Sequence, residues 1–160
     1  MNKEFLDITK PLGGIIATIE YKDKPQEVYR FPNTVLNKGR EILAKFLVNQ
    51  NSQKVVFVKN MLFGDGGMDM QEKKRVVTTD RNALYGITRV SKPVIAQIDP
   101  LVLSQAIFTA VITFEEANGI SLNEMALQLN NEDLFSMATF PNLGKTDQMQ
   151  ITFNWRLSFV

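Results

Sequence analysis

Apolar and polar positions alternate along most of this chain. In MQITFNWRLSFV (Met149 to Val160), Met149, Ile151, Phe153, Trp155, Leu157 and Phe159 are apolar and the residues between them are polar. A period of two marks a strand with one buried and one polar face. The same period runs through GIIATIEY (Gly14 to Tyr21) and EVYRF (Glu27 to Phe31). The polar KDKPQ between them predicts a hairpin. Further strands are read at Val55 to Phe63, in LYGITRVSKPVIAQID with an edge or bulge at Pro93, and in QAIFTAVITF. The last of these is apolar on both faces, which predicts a central position. ISLNEMALQL follows a turn at Asn118-Gly119, and DLFSMATF and the closing strand complete the series.

One segment departs from this period. In PNTVLNKGREILAKFLVNQN, Val35, Leu36, Ile42, Leu43, Phe46 and Leu47 recur at helical spacing. Asn33 or Thr34 is the expected N-cap, accepting amide protons that lack intrahelical partners. Gly39 costs the helix about 1 kcal/mol relative to Ala and favours close packing against a neighbouring backbone. The run from Asn49 to Ser52 ends it. The expected fold is therefore mainly β, an antiparallel β-sandwich with one amphipathic helix from the N-terminal half packed on it. Its expected organisation is a hairpin or arm over 1–32, the helix over 33–50 and the main sheets over 54–160. Met68 to Asn82 is polar and charged, which predicts a surface loop of the size that often carries function.

Composition narrows the chemistry. With 160 residues and 44% hydrophobic content the chain can bury one real core. Its 18 basic and 17 acidic residues leave a formal charge of +1, so no global field steers it to nucleic acid or an anionic membrane. The Lys73-Lys74-Arg75 triplet reads as a solvated loop. Cys and His are both absent. That excludes disulfides, thiolate nucleophiles, Ser-His-Asp and Cys-His catalysis, and HExxH-type metal sites. The start, MNKEFLDITKPLGG, lacks the apolar core of a secretory signal, and AIFTAVITF is too short to span a bilayer.

The remaining constellations are modest. LFGDGG (Leu62 to Gly67), with Asp69 nearby, offers glycines for close backbone approach and two carboxylates. It lacks the ligand spacing of an EF-hand and the Lys of a phosphate loop, so a tight turn is expected and no metal. Glu115 and Glu116 are adjacent and point to opposite sides of a strand, so they do not converge as an acid/base pair. Lys145 is expected to be solvated in a turn. Arg156, mid-strand on the polar face, suits a bidentate pair with a carboxylate on a neighbouring strand or subunit. No set of residues forms a catalytic group, and no cofactor is expected.

The order of motifs carries more than any one of them. NTVLNKGREILAKFL, KNMLFGDGG, NALYG, TAVITFEEANGISLNEMALQL, DLFSMATFPNLGKT and MQITFNWRLSFV follow one another in that sequence. This order resembles tailed-bacteriophage virion proteins of the tail-fibre, collar and baseplate type, over about Asn33 to Val160. The resemblance implies a non-enzymatic virion structural protein, made in the host cytoplasm, that packs as a homo-oligomer against other virion proteins. It binds neither nucleic acid nor membrane in this reading. Head decoration and a carbohydrate- or receptor-binding module are the alternatives, and a carboxylate hydrolase is a distant third. The expected docking surface is the polar loop and its glycine turn, with Gly64, Asp65, Gly66, Arg75 and Arg81, together with Arg156. The closing strand is expected to complete the core and to offer its polar edge to a partner sheet.

Overall fold

A computed structural model describes residues 12–48 and 54–159. The alternating segments form ten strands: β1 (Leu12–Tyr21), β2 (Glu27–Pro32), β3 (Thr34–Val35), β4 (Val58–Gly64), β5 (Thr88–Pro93), β6 (Ile95–Ile98), β7 (Gln105–Ile112), β8 (Ser121–Leu129), β9 (Leu134–Gly144) and β10 (Met149–Ser158). They make two antiparallel five-stranded sheets, in the orders β2-β1-β10-β7-β6 and β3-β9-β8-β4-β5. The expected sandwich with one helix is what the chain adopts. The helix, α1 (Asn37–Leu47), packs on β9.

β10 pairs with β1 along Leu12↔Ser158 to Tyr21↔Met149 and with β7 on its other side. Both of its edges are therefore occupied, so it has no edge to offer another chain, contrary to the expectation from the sequence. The reason is topological: the first and last described strands are neighbours, and β7 arrives on the far side. The expectation that it belongs to the core holds, since Ile151, Phe153, Trp155 and Leu157 are all buried. Phe153 meets Phe63 of β4 at 4.7 Å between ring centroids, and Phe31 of β2 meets Phe140 of β9 at 4.9 Å. These contacts join the two sheets at distances typical of favourable aromatic pairs.

Each side of the sandwich is closed by a segment that changes sheet. β2 leads through Asn33 into β3, and β5 leads through Val94 into β6. At the second switch the Val94 amide donates to Lys59 O of β4 at 3.1 Å. Pro93 ends β5, an edge strand, where a missing N–H costs least.

The helix begins later than its periodicity suggests. Thr34 and Val35 pair with Met137 and Ser136 as β3, and the N-cap position falls to Leu36, which makes no side-chain cap bond. Asn33 is thereby removed from capping; its Nδ2 donates to Ser136 Oγ at 2.9 Å instead. The part of the expected helix beyond Val48 lies outside the described residues. Gly39 does face a backbone: a Cβ there would lie 2.5 Å from Phe135 O. Gly39→Ala is expected to destabilise the fold by about 1–3 kcal/mol, despite alanine's better helix propensity, because the clash is with main chain. Urea denaturation measures this, and a more stable variant would contradict it.

Two polar details differ from the sequence reading. Lys145 is buried, not solvated: its Nζ donates to Asn118 Oδ1 (2.9 Å), Thr146 O (2.7 Å) and Phe114 O (3.3 Å), tying β9 to the turn before β8. Burial lowers its pKa from the ordinary lysine value. Glu116 lies, with Glu115, in the turn between β7 and β8 rather than on a strand. It takes Lys92 Nζ at 2.6 and 2.8 Å and the Thr113 amide at 2.9 Å. Lys92 chiefly, and then the Thr113 amide, holds its pKa below the ordinary value.

Candidate functional site

The polar stretch after β4 does not stand off in solvent. It lies as a strap, residues 65–87, across the outer face of the second sheet. That face is apolar: Leu62, Ala126, Leu134 and Met137 bury against Leu36, Leu84, Val77 and Tyr85. Leu62, Ala126, Met137 and Thr34 form one row across neighbouring strands, and Gly64, Glu124 and Thr139 form the next. The second row holds the strap through hydrogen bonds.

Glu124 is the centre of that row. Its side chain is fully buried, and its carboxylate accepts the backbone amides of Gly66 (2.9 Å), Gly86 (2.8 Å) and Tyr85 (2.7 Å). Oriented N–H dipoles of this kind satisfy a buried anion without a cationic partner. Thr139 Oγ1 donates to Arg75 O at 2.6 Å, and Asn123 Oδ1 takes the Gly67 amide at 2.6 Å. The Asn37 amide, in the first turn of α1, reaches Thr79 O at 2.7 Å. The two ends of the strap touch at Gly66 and Gly86, where a Cβ on Gly66 would lie 2.1 Å from Gly86 N. Only glycine permits that approach.

Gly64, Asp65, Gly66, Arg75 and Arg81 are therefore gathered, mostly by contacts within the strap. Gly64 ends β4 opposite Glu124. Asp65 Oδ2 receives Arg89 Nε at 2.6 Å. Arg81 donates to Ala83 O and Leu84 O and lies 3.9 Å from the centre of the Tyr85 ring. The Arg75 guanidinium is 5.2 Å from the same ring and donates to Met68 O. Tyr85 itself donates to Val76 O at 2.7 Å. The guanidinium charges are thus engaged in holding the loop's shape. Asp69 likewise accepts the Gln71 and Lys73 amides as a local turn. No group of three or more acidic, His or Cys side chains is placed to hold a metal ion among the described residues.

Arg156 does not join them. It lies on the outer face of the other sheet, in a row with Gly14 and Ile107, and makes no ion pair among the described residues. With Arg30, Gln105 and Ser158 it borders a shallow cavity of about 600 Å³. Glu124, Gly86, Arg89 and Asn123 were missed by the sequence reading. For Glu124 a signal existed: a lone charge within an apolar run is a charge that must be buried and paired.

The aromatic residues that suit sugar stacking are otherwise employed. Trp155 is buried between the sheets. Tyr85 lies against the two guanidinium groups, and Tyr21 and Tyr29 both donate to Glu27 Oε2, at 3.1 and 2.8 Å. Lys24 Nζ meets the other Glu27 oxygen at 2.7 Å. Lys24 first, then Tyr29 and Tyr21, lower the Glu27 pKa from 4.5 to about 2. The folded value is depressed, so this contribution to stability is present above about 4.5 and is lost as pH falls through about 2. Carbon-detected NMR titration should place the Glu27 midpoint near 2. A midpoint in the usual glutamate range would show that the cluster does not persist in solution.

A contiguous apolar surface lies elsewhere, at the end of the sandwich where α1 finishes. Phe46, Phe57 and Phe159 line an apolar groove of about 160 Å³ with Ile42, Leu157 and Phe108 at its floor. Phe57 is 53% exposed and neighbouring Leu47 is 89% exposed. Val48 and Val55 are also exposed, and the Phe159 amide donates to Ser104 O beside exposed Leu103.

The described residues thus form a ten-stranded antiparallel sandwich with a strap pinned over one sheet and exposed apolar side chains at one end. No protein-family profile, curated protein or solved structure matches it at a significant level.

Proposed function

We propose that this chain is a non-enzymatic structural protein of a tailed-bacteriophage virion, in the tail, baseplate or fibre-attachment apparatus, and that it works by docking rigidly onto neighbouring virion proteins. The resemblance of its ordered motifs suggests the class. The observation that carries the docking is the apolar end formed by Phe46, Leu47, Phe57 and Phe159. Large exposed apolar side chains gathered in one place mark an interaction site, whereas scattered ones do not. The strap supports the reading in a second way. Arg75, Arg81, Asp65, Asp69 and Tyr85 are spent on fixing a surface, which suits a part whose function is shape.

The reading is tested in particles. Peptides of this chain should appear in density-purified virions of the phage that encodes it. Leu47→Asp with Phe57→Asp should reduce incorporation by about tenfold or more, the effect expected of central anchors, with unchanged circular dichroism. Virions that lack the chain, or that take up the double variant normally, would overturn the reading. Antibody labelling of the particles separates a tail location from a head location.

A further inference from the structure

The four sheet edges of this sandwich are not equivalent. β2 carries Glu27, Arg30 and Pro32, and β5 carries Arg89, Lys92 and Pro93. Charges and prolines of this kind are what protein edges use to discourage pairing with other chains. β3 is only two residues long and runs into the helix. β6 has none of these guards. Its sequence is IAQI, uncharged, and all of it is exposed: Ile95 by 71% and Ile98 by 57%. Leu101, Val102 and Leu103 follow it and are exposed as well.

Its backbone is set for a partner. The Asp99 amide donates to Gln105 O of β7 at 2.8 Å, so residue 99 faces inward. Alternation along an antiparallel ladder then turns Gln97 and Ile95 toward β7 and leaves the N–H and C=O of Ala96 and Ile98 directed away from the sheet. Val94, which shares their direction, is already bonded across to Lys59 in β4.

We propose that β6 is the pairing edge of a two-fold dimer of this chain, β6 against β6, with the axis through Gln97. The geometry selects this register. Side chains directly opposite each other in an antiparallel pair must share a face, and only outward-directed residues can exchange hydrogen bonds. Ala96 of one copy then faces Ile98 of the other, exchanging both main-chain bonds, and the two-fold repeats the exchange on the other side of the axis. The Gln97 side chains meet at the axis on the outer face, where their amides can bond to one another. A register centred on Ala96 would instead require Val94, whose amide is taken. Two five-stranded sheets become one continuous sheet, and the exposed leucines after β6 lie beside the seam, adding the apolar area that so short a strand pair lacks. A second copy is the occupant because the strand is complementary to itself in an isologous arrangement.

This pairing deepens the docking reading by naming one partner, and it fails separately from it. The test is light scattering on the full chain from micromolar to millimolar concentration. Wild type should reach twice the 18.1 kDa chain mass, or an even-numbered assembly. Ala96→Pro removes an outward N–H without touching the ladder to β7, and Ile98→Lys places a charge at the seam. Each should halve the mass while leaving circular dichroism unchanged. In wild type, exchange of the Ala96 and Ile98 amides should slow as the dimer forms. A monomer throughout the range, or a dimer that survives Ile98→Lys with fast-exchanging Ala96 and Ile98 amides, overturns the pairing. A wild-type monomer that still enters virions sinks only this proposal, and a β6-dependent dimer absent from virions sinks only the virion reading.

Discussion

A chain ending at Gln148 will show no cooperative melting transition and no dispersed NMR spectrum. The truncation removes β10, which lies between β1 and β7, so the first sheet is cut into a detached hairpin and a detached pair. It also strips Ile151, Phe153, Trp155 and Leu157 from the core. At about 1.5–3 kcal/mol for each fully buried apolar side chain, the loss is roughly 10 kcal/mol. That equals the whole net stability of a typical domain, about 5–15 kcal/mol. A truncated chain that melts cooperatively would show that the second sheet and strap suffice to fold, and would contradict this account of the core.

Glu124→Ala is expected to cost on the order of 4 kcal/mol, more than any other single change on the outer face. The amides of Gly66, Tyr85 and Gly86 would be left without an acceptor in a buried place. Unsatisfied buried donors cost about 1–3 kcal/mol each. Glu124→Gln should cost less but still destabilise, because its NH₂ group turns donor against donor. The strap should also open locally, exposing Lys73, Lys74 and Arg75 to trypsin in a protein that remains folded elsewhere. Urea denaturation and limited proteolysis read the two effects. An alanine variant within about 1 kcal/mol of wild type would mean that water replaces the carboxylate without penalty.

Much of the sandwich was legible because a strand buried on one face writes a period of two into the chain. The alternation in MQITFNWRLSFV and the hairpin at KDKPQ are of this kind. The helix start was misread because Thr34 and Val35 are claimed by β9, a tertiary pairing that local capping preference does not reveal. Lys145 was misread for a related reason: two of its three acceptors, Phe114 O and Asn118 Oδ1, are brought in from another turn. The site was half legible. The glycines of LFGDGG announced a close approach, but its partner, Gly86, follows a loop whose path is set by Glu124. Backbone amides bind that carboxylate, and amides leave no mark in a sequence. Arg156 was grouped with Arg75 and Arg81 by residue type, while strand register decides that it faces the opposite way.

The pairing of β1 with β10 also sets a clock. Glu20 and Gln150, which touch across that ladder, are 130 positions apart. At about 5–20 residues per second, a ribosome needs roughly 7–26 s to make the intervening chain. Throughout that interval Ile15, Ala17 and Ile19 have no permanent cover, while β4, β5, β8 and β9 are finished earlier and can associate first. The nascent hairpin is thus a waiting half-sheet, and its lifetime in the cell is set by translation speed. Slowed synthesis should lengthen its exposure to chaperones and lower the yield of soluble protein, without any change in the stability of the molecule once it is made.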